Sequence, residues 1–122
     1  YFYLVLCCRV LSHVDTLTKA LSEIHRVLKK GAHAVISDID GRHGYEATRI
    51  PISADEHVNI RVHKYRMDRL MDEVMGIGFI VRDYKLFCAP DLAWKPDRQA
   101  FPSIDWSGRR PIFYQLVLER NA

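Results

Sequence analysis

Hydrophobic positions change their period twice in the first third of the chain, and each change predicts a different element. Tyr3 to Cys8 is an unbroken apolar run of strand length, the pattern of a strand covered on both faces of a sheet. From Leu17 to Leu28 apolar residues recur every three or four positions, which predicts a helix that continues through Lys30 and ends at Gly31. Ala32 to Ser37 is a second short apolar run. Together these segments predict one βαβ unit with a right-handed crossover.

The rest of the chain predicts a second helix and further strands. Helical spacing returns from Met67 to Met75, and Gly76 and Gly78 mark the end of that helix. Strand patterns occur in Thr48–Ser53, His57–Val62, Phe79–Leu86 and Ile112–Leu118. The first two of these alternate weakly and predict either a small hairpin or an extended cover, whereas the last two are rich in β-branched and aromatic residues.

The last two strands are separated by residues 87–110, a connection longer than compact domains usually contain. It carries three prolines and the large side chains of Trp94, Phe101 and Trp106. This segment is either a functional lid that closes over an apolar or aromatic substrate, or a surface loop held down by its large side chains.

Composition narrows the class of protein. With 122 residues, 48% hydrophobic and 27% charged, the chain has the size and balance of one globular domain, not of a disordered, collagenous or coiled-coil protein. The net charge of +3 is spread along the chain, which argues against nucleic acid as a partner, and no apolar run approaches the ~20 residues of a membrane helix. Three cysteines without a paired spacing favour a reducing compartment, so we expect a cytoplasmic protein.

Two motifs in the first third resemble a known family. Leu11–Val14 has the form Leu-x-His-Val, and Glu23–Gly31 has the form Glu-x-x-Arg-Val-Leu-Lys-x-Gly. With the apolar runs around them, they resemble the second half of class I S-adenosylmethionine-dependent methyltransferases of the small-molecule type. Gly78-Phe79 and Pro111–Glu119 extend the resemblance to the later strands. It implies an α/β fold, the C-terminal half of a Rossmann-like sheet with strands four to seven, the last of them antiparallel.

The sequence departs from that family in what it lacks. Tyr3 stands where an acidic residue is usual, and Ala32 where a second glycine is common. The glycine-rich turn and the acidic residue that holds the cofactor ribose are not found in this sequence. The resemblance therefore implies that residues 1–122 form a single partial domain on the substrate side. It also implies that binding of the cofactor, S-adenosylmethionine, needs the missing N-terminal half, so that the isolated chain is inactive.

Candidate site residues follow the strands, because ligands of open α/β sheets bind beyond the carboxyl ends of the strands. The resemblance implies that the backbone of Cys8 and Arg9 lines the methionine side of the cofactor; alternatively, Cys7 and Cys8 are small core residues. His13 is a candidate catalytic base, since a histidine accepts a proton near neutral pH. A packing role where the helix begins is the alternative.

Residues further along supply candidate substrate contacts. Asp38 follows the second strand, and His63 and Tyr65 precede the second helix, where the family places such contacts. Asp38, Asp40 and His43 form a D-x-D-x-x-H cluster whose oxygen and imidazole ligands suit a divalent ion. Three such residues in one loop occur easily by chance, so we predict no metal site.

The resemblance implies transfer of the sulfonium methyl group to a small-molecule acceptor within a larger catalytic domain. The alternative is a non-catalytic fragment or interaction module that keeps the fold and binds no cofactor alone. The first strand, Tyr1 to Cys8, would leave an unpaired apolar edge, so a homo-oligomer formed through that strand is a further expectation. We expect neither nucleic acid nor a membrane as a partner.

Overall fold

The structure is a computed structural model that describes residues 1–41, 47–91 and 110–121. The strands are β1 (Phe2–Cys8), β2 (Leu28–Ile39), β3 (Ala47–Pro51), β4 (His57–Arg61), β5 (Phe79–Phe87) and β6 (Phe113–Arg120). The helices are α1 (Leu17–Val27) and α2 (Met67–Ile77), with short 3-10 turns at Leu11–His13 and Ala89–Asp91. His43 of the D-x-D-x-x-H cluster and most of the predicted lid lie outside the described residues.

Four strands form one mixed sheet in the order β1-β2-β6-β5. β1 and β2 are parallel and are joined by α1, so the predicted βαβ unit is confirmed. β6 lies antiparallel between β2 and β5, which confirms an α/β fold whose last strand is antiparallel. The predicted hairpin is also confirmed, since β3 and β4 pair antiparallel as a separate two-stranded sheet.

Both helices pack on the same face of the four-stranded sheet. Leu17 and Leu21 of α1 and Leu70 and Val74 of α2 are buried in one core cluster with β2, β5 and β6. The Thr18 hydroxyl of α1 donates a hydrogen bond of 2.9 Å to a carboxylate of α2. The two helices thereby cover one sheet face as a single layer.

The predicted C-terminus of the first helix is wrong. α1 ends at Val27, and Leu28 already has extended backbone angles, φ −79° and ψ 142°, with its side chain fully buried. The Arg120 guanidinium binds the carbonyl oxygens of His25 and Leu28 at 3.1 and 2.5 Å, and so caps the helix end with a side chain. Gly31 does adopt a left-handed φ of +79°, but it does so inside β2, where the pairing with β1 shifts register.

The prediction that β1 is covered on both faces is also wrong for the described residues. Val5 and Cys7 pack against the core beneath the helices. Phe2, Leu4 and Leu6 point to the opposite face and are 56%, 54% and 64% exposed. In the described part of the chain both helices pack on one face of the sheet, so every second residue of this apolar run is exposed.

The second helix ends where the sequence predicts. Gly78 adopts φ +117°, and its N–H donates to the Met75 carbonyl, which is a left-handed termination. Gly76 belongs to the last turn of α2 and has no special backbone conformation.

Candidate functional site

The parallel strands β1 and β2 end side by side, and the chain turns sharply after β1. Arg9 has a left-handed φ of +63°, which is uncommon for a residue with a Cβ. Its N–H donates a 2.7 Å hydrogen bond to the Ser37 carbonyl on β2. This backbone geometry brings the predicted cofactor contacts Cys8 and Arg9 to the carboxyl end of β2, beside Asp38.

Asp38 anchors the turn that follows. Its side chain is only 2% exposed. One carboxylate oxygen accepts the Ser12 N–H at 2.7 Å, and the other accepts the Ile39 N–H at 2.7 Å. Because both oxygens are engaged by backbone donors, Asp38 holds the Leu11–His13 turn on the end of β2. Its role as a substrate contact stays a prediction.

His63 and Tyr65, which precede α2, are hydrogen-bonded to the Leu11–His13 turn and to Val14, the residue after it. The His63 N–H donates to the Ser12 carbonyl at 2.7 Å, and the Tyr65 hydroxyl donates to the Val14 carbonyl. Burial raises the pKa of Tyr65; the nearby Arg69 guanidinium opposes this effect, and carboxylates including Asp38 add to it. The structure thus brings together the segments that carry the six predicted site residues.

His13 lies at the end of the turn with an exposed side chain. Its backbone N–H donates to the Val10 carbonyl at 2.9 Å, which fixes the residue while leaving its ring at the surface. The packing alternative requires a buried ring, so the exposed ring of His13 does not fit that alternative. Catalysis by His13 stays a prediction.

The two adjacent cysteines differ in their surroundings. Cys7 is half-buried against the core, and burial raises the pKa of its thiol, with the negative charge of Asp38 adding to the effect. Cys8 is exposed, so the alternative that both are core residues is wrong for Cys8. Within the described ranges, no group of three or more histidine, cysteine or acidic residues is arranged to hold a metal ion.

A close backbone contact joins the loop after β2 to the start of α2. A Cβ at Gly41 would lie 2.5 Å from the Tyr65 carbonyl oxygen, so only glycine fits without a shift of the backbone. The neighbouring Asp40 is buried, and its N–H donates to the Ile112 carbonyl at 2.8 Å. Beside this contact is a cavity of about 540 Å³ lined by Asp40, Gly41, Arg66, Met67, Asp68 and Tyr84.

A smaller cavity of about 290 Å³ lies where the ends of β1, β2 and β5 meet the start of β6. Its lining includes Arg9, Asp38, Phe87, Phe113 and Tyr114. Burial raises the pKa of Tyr114 far above its usual range, and the charge of Asp38 adds to this, so the hydroxyl stays protonated. Sequence reasoning missed the aromatic residues Phe87, Phe113 and Tyr114. The prediction of an antiparallel last strand was the available signal, because such a strand begins beside the carboxyl ends of the parallel strands.

Comparison with known proteins agrees with this geometry. Residues 1–36 match the model of a family described as a methyltransferase domain. No curated protein sequence matches the chain. In the part of the chain that the structure describes, neither helix has the length and apolar content needed to span a membrane.

Solved structures share the fold. An S-adenosylmethionine-dependent methyltransferase from Mesorhizobium loti superposes with a TM-score of 0.68 at 16% identity, covering 98% of this chain and 62% of that one. One from Clostridium acetobutylicum gives 0.67 at 9% identity, with coverages of 99% and 59%. The [4+2]-cyclase SpnF gives 0.60 at 17% identity, with coverages of 99% and 51%.

The chain therefore spans between about half and three-fifths of the length of these structures. At such low identity the structural likeness shows the fold, and the match to the methyltransferase domain model covers residues 1–36. Together they confirm the predicted resemblance to the S-adenosylmethionine-dependent methyltransferases.

Proposed function

We propose that this chain is the acceptor-side half of an S-adenosylmethionine-dependent methyltransferase domain that acts on a small molecule. One observation carries the proposal. Asp38, at the end of β2, accepts a hydrogen bond from the Ser12 N–H in the turn that follows β1, and exposed His13 ends that turn. In this assignment β1, β2, β5 and β6 are strands four, five, six and seven of the family sheet.

A cofactor-binding half is needed to complete the domain. The face of β1 without helices exposes Phe2, Leu4 and Leu6, and the outer edge of β1 has no neighbour among the described strands. An apolar face and a free edge of this kind suit three further strands with their helices. We propose that those elements carry the glycine-rich turn and the ribose-binding acid.

The residues of this chain suit the methionine end of the cofactor. Cys8 and Arg9 are both exposed, and Arg9 turns the chain away from the strand end with a positive φ. The cofactor supplies a sulfonium methyl group that is already a good electrophile. The protein then has to align the acceptor, exclude water and, where the acceptor must lose a proton, provide a base.

We assign these tasks to residues around the turn. His13 accepts the acceptor proton, since its ring is exposed directly after the strand that carries the cofactor contacts. His63 and Tyr65 position the acceptor from the segment that is hydrogen-bonded to the same turn. Asp38 keeps that turn in place through the Ser12 N–H.

The second candidate is an interaction module that keeps the fold and binds no cofactor. The exposed apolar face of β1 favours it, since such a face also suits a protein partner. SpnF, whose name describes a cyclase, has the same fold, so the fold alone does not decide between these candidates.

Titration calorimetry with S-adenosylmethionine separates the two. The chain as given should bind weakly or not at all, and a longer form carrying an upstream cofactor-binding segment should bind and transfer a labelled methyl group to small-molecule acceptors. Absence of binding and transfer in that longer form would favour the interaction module. Low-micromolar binding by the chain as given would refute the need for a second half.

Kinetics of the complete enzyme test the role of His13. His13→Ala should lower kcat while leaving cofactor affinity unchanged, because a base acts only in the transition state. His33→Ala is the matched control, since His33 is an exposed histidine of β2. A kcat of His13→Ala equal to that of the unmodified enzyme from pH 6 to 9 would refute the role of His13 as the base.

A further inference from the structure

The side chain of Arg9 extends across the sheet instead of along its own strand. Arg9 follows β1, yet its guanidinium carbon lies 4.7 Å from the ring centroid of Phe113 on β6, with β2 between the two strands. Arg9 is the non-glycine residue with positive φ in the described part of the chain. Unusual backbone conformations of this kind persist where the surrounding structure imposes them and are concentrated at functional sites.

The charge of Arg9 has no carboxylate partner within residues 1–41, 47–91 and 110–121. Asp38 lines the same cavity, but it is buried and both its oxygens already accept backbone N–H groups. A guanidinium that lies over an aromatic ring keeps its N–H edge available, and that edge matches the two oxygens of a carboxylate.

The cavity beside Arg9 has aromatic walls. Phe87 and Phe113 are directly opposite each other in the pairing of β5 and β6, so both rings belong to the same sheet face. At about 290 Å³ the cavity is at the small end of ligand pockets, with room for one ring and not for an entire nucleoside cofactor. A positive charge over the Phe113 ring, in a cavity that Phe87 also lines, suits a flat apolar body that bears an anionic group.

We propose that Arg9 and the Phe87–Phe113 pair form a subsite for an aromatic carboxylate, which is the chemical class of the methyl acceptor. This inference rests on the proposed function, because it names the acceptor of that reaction. In this proposal the backbone of Arg9 contacts the methionine end of the cofactor, and its guanidinium binds the carboxylate of the acceptor. The methionine carboxylate of the cofactor is the other source of the same chemistry, and the experiment separates the two.

The test is an NMR titration of the isotopically labelled chain with benzoate, benzamide and methionine as probes. Benzoate should shift the amide signals of Arg9, Phe113 and Gln115, and benzamide, which has the same shape and no charge, should bind about tenfold more weakly. Equal binding of the two would overturn the proposal. Methionine shifting these signals when benzoate does not would assign the carboxylate to the cofactor and also overturn it.

Variants locate the charge. Arg9→Gln should remove the preference for benzoate over benzamide, whereas Phe113→Leu should weaken both ligands alike. Arg61→Gln is the matched control, since Arg61 is an exposed arginine on β4. A benzoate preference that survives Arg9→Gln would refute the assignment, and if that variant fails to fold, Arg9→Lys with an intact spectrum and a reduced preference decides the question.

This experiment is independent of methyl transfer. If the unmodified chain shows no preference for benzoate over benzamide, the acceptor class is refuted, while the proposed reaction stands if the longer form transfers a methyl group. If benzoate binds and the longer form transfers no methyl group, the subsite stands and the reaction is refuted.

Discussion

Replacing Asp38 should destabilise the fold by an amount that can be worked from its hydrogen bonds. The carboxylate is 2% exposed and accepts two backbone N–H groups at 2.7 Å each. A buried donor left unsatisfied costs about 1–3 kcal/mol. Asp38→Asn keeps one acceptor oxygen and should therefore cost about 1–3 kcal/mol, and Asp38→Ala, which removes both acceptors, should cost roughly 2–6 kcal/mol.

Urea denaturation followed by circular dichroism measures this loss. With a slope of about 1–3 kcal/mol per molar urea, a loss of about 2 kcal/mol lowers the midpoint by roughly 0.7–2 M. Hydrogen exchange should also accelerate at the Ser12 amide, which donates to Asp38. Asp83→Asn, at an exposed position of β5, is the control and should change stability by less than about 0.5 kcal/mol. An Asp38→Asn protein as stable as that control would refute the anchoring role.

Three further predictions concern other parts of the fold. Leu6 is 64% exposed on the edge strand and should promote self-association. Leu6→Lys should therefore lower the molecular mass measured by light scattering toward that of the monomer, and an unchanged mass would exclude this face as the contact. Gly41→Ala should lower the melting temperature because its Cβ would lie 2.5 Å from a backbone oxygen, whereas Gly76→Ala, in open space on α2, should stabilise by about 0.5–1 kcal/mol; the opposite order would contradict the close contact. At pH 8 a short iodoacetamide pulse should label exposed Cys8 before Cys7, because the raised pKa of Cys7 lowers its thiolate fraction, and its labelling should increase as the pH rises; earlier labelling of Cys7 would be inconsistent with its burial.

Periodicity predicted the elements well because their apolar positions carry the packing. The apolar stripe from Leu17 to Leu28 and the one from Met67 to Met75 both predicted helices, and both helices pack on one core, with Leu28 already in β2. The error at Gly31 arose because glycine and lysine signal a helix end locally, whereas the helix was capped from a distance by Arg120. No spacing within the helix itself could reveal that contact.

Part of the candidate site could be predicted from its place after strand ends, as with Cys8, Arg9 and Asp38. The resemblance to a known family pointed to His63 and Tyr65, and the roles of all these residues stay predictions. The aromatic cavity wall was missed because Phe87 and Phe113 are far apart in sequence and meet only through the pairing of β5 with β6. The apolar run of β1 could not show which face is covered, since a strand with one exposed apolar face has the same pattern as a buried one.

The position of β6 has a consequence for the order in which the protein folds. β2 and β5 are both paired to β6, and among the described strands of the sheet they are connected only through it. A ribosome releases residues 113–120 after both of those strands, so the hydrogen-bonded sheet cannot be completed while translation of this segment is unfinished. During that interval the unpaired edges of β2 and β5 are exposed, and pairing between such distant segments is slow. We therefore expect the emerging chain to depend on chaperones until β6 inserts.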